Sequence, residues 1–207
     1  MRSTRTKPAL DPAATRLAIL NSATKLFAES GFAATSLNRI AQAAGVPKSL
    51  VLYHFESKEG LWNGVFQAKG QLIHQVAQAI IDGDPSVTIL DLVRAKFHTL
   101  QQNPDLVRLM GWMSLENREP NPEIAKRAKK VREVIRSQPE RFQSPPGLEP
   151  DKYVVILMTA VDGFFRFRNV YERIMACPMT STESEEEFLA NLLALSGPTT
   201  QNPAYGL

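Results

Sequence analysis

The chain has 207 residues, 43% hydrophobic and 22% charged, with a net charge of +3. That leaves room for one large domain, or a small one beside a medium one, with a sizeable core. It contains no run of about 18 apolar residues to span a membrane, no apolar stretch behind its basic start to make a secretory signal, and one cysteine, Cys177, which excludes an internal disulfide and points to a reducing cytoplasm.

Strand-like alternation is almost absent, and helical spacing recurs along the chain. Ile19, Ala23, Leu26 and Phe27 fall at i, i+4, i+7 and i+8, predicting an amphipathic helix over 13–29, with Gly31 as a left-handed cap. Leu37, Ile40, Ala41 and Ala44 predict a short second helix, capped by Thr35 or Ser36 and ended by Gly45. Pro47 suits the first turn of a third helix running to about Phe55, broken by "ESKEG". A long helix is expected from Lys58 or Glu59 to Ile81. Another follows Ser86 as N-cap and ends near Asn103, and a third begins at Pro104. The stretch from Pro122 predicts a helix kinked or ended at Pro139. Residues 151–175 form a helix that is apolar on nearly all sides between Tyr153 and Phe167, and so needs cover on more than one face. The last helix, 183–196, begins with glutamates 185–187, favourable against the helix dipole.

Charge is unevenly placed. Residues 1–58 hold eight basic residues against Asp11, Glu29 and Glu56, a local net charge of +5. The remainder holds sixteen basic and eighteen acidic residues, or −2. A basic quarter on a slightly acidic body suits a module facing a polyanion; the alternative is an uneven solvated surface. Short helices such as 37–44 and 48–55 are marginal alone. With the corner Gly45–Val46–Pro47 they have the proportions of a helix-turn-helix, in which the second helix stands out to enter a DNA major groove. Helix 13–29 covers their apolar faces.

The same stretch resembles the DNA-binding domain of the TetR family of transcriptional repressors. The matching positions are Leu26–Phe27, Gly31–Phe32, Thr35–Ser36, Ile40–Ala41, Ala44–Gly45–Val46, His54–Phe55 and Ser57–Lys58–Glu59, covering residues 13–62. Three departures stand out: Pro47 replaces the usual Ser of the turn, and Leu50 and Leu52 replace the Thr and Tyr that contact phosphate in the family. Leucine cannot bond a phosphate, but it can pack on a thymine methyl or on neighbouring helices. Lys48, Ser49, Leu50 and Tyr53 are then the groove-facing candidates, with Asn38 and Arg39 near the DNA edge. Thr35, Ser36, His54 and Lys58 are candidates to hold phosphates, Lys58 at the family's phosphate-clamping position. Arg2, Arg5 and Lys7 form either a minor-groove arm or a solvated tail.

The resemblance implies an all-α fold: an N-terminal three-helix helix-turn-helix domain plus a C-terminal helical ligand-binding and dimerisation domain. The divisions are a flexible basic arm (1–12), the DNA-binding domain (13–58), the ligand-binding and dimerisation domain (59–196) and a loose tail (197–207). Pairing is expected through the last two helices, by Ile156, Ala160, Gly163, Phe167, Phe188, Leu192 and Leu195, in a four-helix bundle; the alternative buries both helices within one subunit. Phe97, His98, Met110, Trp112, Met113, Met158, Asp162, Phe164 and Phe165 are candidates to line a pocket for a mostly apolar effector, with plain core packing as the alternative for each.

Other motifs carry less. "SATK", Ser22–Lys25, has the serine acyl-enzyme spacing without its partner motifs. His54, His74 and His98 are too scattered for zinc. "KRAKKVR", 126–132, reads as a solvated face or a second polyanion site. The expectation is therefore a dimeric, cytoplasmic, ligand-responsive repressor. It is not an enzyme, has no cofactor, metal or membrane partner, and binds a palindromic double-stranded DNA operator from which a small effector releases it. An all-helical enzyme or a protein-interaction bundle is the alternative.

Overall fold

The structure, a computed structural model, describes residues 11–195. The expected arm, apart from Asp11 and Pro12, and the expected tail lie outside those residues. Ten α-helices make up the described chain, with no strand among the described residues. α1 (Pro12–Ser30) starts with Pro12 in its first turn and with Asp11 Oδ1 accepting from the Ala13 N–H at 3.0 Å. It closes with the Gly31 N–H donating to the Phe27 carbonyl. Gly31 has the positive φ expected of a cap (75°), but its ψ of 178° is extended rather than left-handed helical. That region of backbone space is nearly confined to glycine.

α2 (Leu37–Ala43) is capped by Ser36, whose Oγ accepts from the Arg39 N–H. Gly45 (φ 67°) turns the corner, and the Val46 N–H closes back on the Ala41 carbonyl at 3.0 Å. α3 (Lys48–Phe55) follows; Pro47 is its N-cap residue rather than a member of its first turn. The helix expected over 58–81 is two helices, α4 (Lys58–Lys69) and α5 (Gln71–Ile81). They meet at Gly70, whose ψ of 16° leaves the helical range; glycine in a helix interior costs about 1 kcal/mol relative to alanine and favours such a bend. α6 (Ile89–Gln102) starts at Thr88, not at Ser86, because Thr88 and Asp91 form a reciprocal capping box. Ser86 instead donates to Asp84 in the preceding turn. α7 (Pro104–Leu115), α8 (Pro122–Ser137), α9 (Pro150–Met175) and α10 (Thr182–Ala194) complete the chain, with α8 ending before Pro139.

The buried apolar residues form one continuous core with two centres of packing. In the first, Ile19, Ala23 and Phe27 of α1 meet Ile40, Val51 and Phe55 of α2 and α3, and Leu61, Trp62 and Val65 of α4. Phe27 and Trp62 pack edge to face at 5.1 Å. The second lies among α5, α6, α8 and α9. Tyr153, Val154, Leu157, Val161, Phe164 and Phe165 form the buried face of α9. The cover expected on its other faces is missing among the described residues: Ile156, Phe167, Val170, Tyr171 and Ile174 are exposed.

α7 joins the two centres by packing along α1. A Cβ on Gly31 would meet Glu116 Oε1 at 2.5 Å and the Trp112 ring at 2.8 Å. Gly31→Ala should therefore lower unfolding stability by about 2 kcal/mol or more, from backbone strain and this clash together. Urea unfolding monitored by circular dichroism checks the value; a neutral result would mean that α7 does not press on this turn.

Candidate functional site

α3 is rooted by Val51 and Phe55, both buried, with Leu50 and His54 half-buried at its flanks. Its opposite face carries Lys48, Ser49, Leu52 and Tyr53, spaced i, i+1, i+4 and i+5, and all exposed. Tyr53 is 78% exposed and Leu52 38%. Arg16 of α1 lies over the Phe55 ring, adding a cation at the edge of this surface. Asn38, Arg39 and Ser36 are exposed on the first turns of α2.

Two of the expected phosphate-holding side chains are occupied otherwise. Thr35 is 1% exposed, and its hydroxyl lies 2.7 Å from the Gly31 carbonyl and 3.1 Å from the Leu26 carbonyl. Burial and these acceptors make Thr35 a brace of the α1–α2 turn rather than a surface donor. Lys58 is half-buried, with Nζ 3.4 Å from the Ala33 carbonyl and 4.2 Å from the centre of the Phe32 ring. Burial holds its pKa below the ordinary lysine value, opposed by the nearby Glu116 carboxylate. Around it lies a junction. The Trp112 indole N–H donates to the Ala28 carbonyl at 3.1 Å, and Glu116 Oε1 accepts from the Ala33 N–H at 3.1 Å. Arg118 pairs with both oxygens of Glu59 at 2.6 Å while stacking 3.4 Å over Phe32.

The aromatic and sulfur residues expected to line a pocket largely fill a core instead. Phe97, Phe164, Phe165 and Phe188 form one stacked cluster, with Phe164 and Phe188 centred 4.0 Å apart. Asp162 pairs with Lys96 at 2.7 Å, and His98 Nδ1 lies 3.2 Å from Gln101 Oε1. Trp112 belongs to the junction above. Met110 and Met113 border a shallow surface depression with Arg118 and Arg166. Of the expected set, Met158 alone lines a cleft that has a volume of about 460 Å³ and lies between α5, α6, α8 and α9. Ile73, Ala77, Leu92, Val131, Val154 and Met158 make its apolar walls. Its polar edge has Arg127, Lys129 and Arg132, with His74 and Asp151. Arg132 Nε donates to Asp151 at 2.7 Å and holds that buried carboxyl below the usual carboxylate range. Burial, and then the charge of Arg127, lowers the His74 pKa below 6.5.

The sequence model of the tetR family of bacterial regulatory proteins matches residues 19–65, the segment that holds α2, α3 and the packing that projects α3. The N-terminal domain of this chain is thus that of the TetR family. The HTH-type transcriptional regulator AcrR of Shigella flexneri is 33% identical over 82 residues, 38% of each chain. The HTH-type transcriptional regulator RutR of Escherichia coli is 34% identical over 97 residues, 46% of each chain. The chain thus matches less than half the length of these curated relatives. Beyond the N-terminal part the likeness is one of fold. NalD of Pseudomonas aeruginosa, the secondary repressor of the MexAB-OprM multidrug efflux pump, superimposes with a TM-score of 0.60 at 22% identity, covering 91% of this chain and 98% of that one.

The residues expected at a dimer interface separate into two groups. Phe188 and Leu192 pack within their own subunit, Phe188 on Phe164 and Leu192 in the buried core. Ile156, Ala160, Gly163 and Phe167 continue with Val170 and Ile174 as one stripe along α9, while Leu195 is exposed at the end of α10. Among the described residues, nothing lies within 4 Å of a Cβ placed on Gly163. Sequence reasoning missed Arg127 and His74 of the cleft. The signal was present: Arg127 and Ala128 share a helical face with Ile124, Val131 and Ile135, so a cation sits inside an apolar stripe.

Two measurements check these assignments. Thr35→Val should lower unfolding stability by about 1–3 kcal/mol, since two carbonyls lose their hydroxyl donor; reduced DNA affinity at unchanged stability would instead place that hydroxyl on a phosphate. Ring resonances of His74 should titrate below pH 6.5 in the folded chain and move upward in Arg127→Gln, because the neutral form is then less favoured. Its depressed pKa contributes stability that is present above the unfolded value of about 6.5 and is lost as pH falls through the interval down to the folded value.

Proposed function

We propose that this chain is a homodimeric repressor that holds a palindromic double-stranded DNA operator and is released by a small, mostly apolar effector. The observation that carries the reading is the two-sided character of α3. Val51 and Phe55 root it in the first core, while Lys48, Ser49, Leu52 and Tyr53 face outward together. A helix so presented matches the width of a major groove, about 12 Å. Lys48 then reads a guanine edge, and Leu52, more exposed than Leu50, packs on a thymine methyl. Ser36, Arg39 and His54 flank that helix and hold phosphates, fixing register without reading sequence. Lys58 joins them after exchanging its long contact with the Ala33 carbonyl for a phosphate oxygen.

The DNA-binding module comprises residues 13–58, and the remainder to 196 forms the effector-binding and pairing domain. The exposed α9 stripe supplies the symmetric contact, because an apolar face of this length on a 26-residue helix is otherwise left in water. Pairing sets two α3 helices about one DNA turn, roughly 34–36 Å, apart. The cleft connects to this geometry through α5, which supplies Ile73, His74 and Ala77 and continues through the Gly70 bend into α4. An effector that binds better to one setting of that bend lowers operator affinity by the same differential. The likeness in fold to NalD, itself a repressor, supports the sign of regulation.

A gel shift with a palindromic fragment from the protein's own promoter region tests the reading. The chain should bind as a dimer. Tyr53→Ala should weaken operator binding by about tenfold without unfolding the chain, and Lys58→Ala should lower the salt slope by about one. Phe167→Glu should give monomers by analytical ultracentrifugation and lose the shift. Full operator affinity in the Tyr53 variant, or a monomer that binds equally well, would overturn the assignment.

A further inference from the structure

The effector class is written in the cleft itself, and this inference rests on the reading of that cleft as the effector site. Arg127 is half-buried on α8 at the edge of the apolar cavity. Among the described residues, no hydrogen bond or ion pair engages its guanidinium. The acidic side chain that lines the same cleft, Asp151, is already committed: Arg132 bonds it at 2.7 Å and Arg136 approaches to 3.9 Å. The cleft therefore has three cations, Arg127, Lys129 and Arg132, against one anion that is neutralised by its own partners.

A guanidinium partly removed from water and left without a counter-anion is unfavourable, and its planar fork matches a carboxylate in two parallel hydrogen bonds. Beyond it the walls are almost wholly apolar: Ile73, Ala77, Leu92, Val131, Val154 and Met158. The volume of about 460 Å³ lies within the range of roughly 300–1,000 Å³ usual for small-molecule sites. We propose that the effector is an amphipathic carboxylate, with its apolar body in the cavity and its carboxyl group on Arg127 beside His74. Arg127 is then a specificity-determining residue: it discriminates an anion from a neutral or cationic molecule of the same apolar length.

Three probes of equal chain length separate the outcomes: decanoate, decan-1-ol and decyltrimethylammonium. Each is titrated below its aggregation concentration into the full chain by isothermal calorimetry, and into the operator complex by fluorescence anisotropy. Decanoate should bind at least about tenfold more tightly than decan-1-ol, as a charge-assisted, part-buried hydrogen-bonded pair allows. Arg127→Gln should remove most of that preference while leaving decan-1-ol binding unchanged and without lowering the melting temperature of the free protein. Met158→Trp, which fills the cavity, should abolish binding of all three; if decanoate still binds it with wild-type affinity, the carboxylate does not sit in this cleft. Equal affinity for decanoate and decan-1-ol, tighter binding of the ammonium, or no binding of any probe overturns the proposal. Decanoate binding that depends on Arg127 but leaves the operator complex intact upholds the ligand class and instead defeats the reading of the cleft as the effector site.

Discussion

Trp112, Glu116 and Arg118, at the end of α7 and in the turn after it, hold the close of α1 and the start of α4. The indole N–H takes a carbonyl that the last turn of α1 leaves free, the Glu116 carboxylate takes the Ala33 N–H, and Arg118 binds Glu59 while lying on Phe32. Gly31 is the condition for this junction, because a side chain there would occupy the space of the Trp112 ring and the Glu116 carboxylate. Without these contacts the small α1–α4 core would meet the rest of the chain mainly through the α4–α5 bend at Gly70. With them, the orientation of α3 is tied to the body of the molecule at two separate places. Any displacement of one element relative to the other must therefore be shared by both.

The second apolar centre has a different character. Four phenylalanines from α6, α9 and α10 stack on one another in the region where a pocket was expected. The open volume lies instead on the other side of α6 and α9, where α8 leans against α5 with a charged edge. His74 and Arg127 share that edge, and burial together with the neighbouring cation keeps the imidazole neutral more readily than in water. α9 serves both centres: one face closes the core and the cleft, and the opposite face presents Ile156, Phe167, Val170 and Ile174 to solvent.

The N-terminal architecture was largely legible in the sequence. The apolar spacing of α1, the Ser36 cap, the Gly45 corner and the placement of Lys48, Ser49 and Tyr53 opposite Val51 and Phe55 are all local properties, set by helical period and turn chemistry within a few residues. The Gly70 break escaped the reading because one glycine is compatible with an uninterrupted helix, and only the packing on either side selects the bend. The start of α6 moved from Ser86 to Thr88 because Asp91 completes a reciprocal cap there, a pattern visible in the residues but outweighed by the apparent fitness of Ser86.

By itself, then, the sequence determined an all-helical chain, the helix-turn-helix and the face of α3 that is free to contact another molecule, because these follow from short-range periodicity and capping. Tertiary structure alone decided which polar groups remain available. Thr35 and Lys58 are drawn into the junction around Gly31 and Phe32, the aromatic set closes on itself, and Arg127 is left beside an apolar cleft with no ion pair among the described residues. Those outcomes depend on which residues distant in the chain come to lie within hydrogen-bonding or van der Waals reach, and helical spacing carries no record of that.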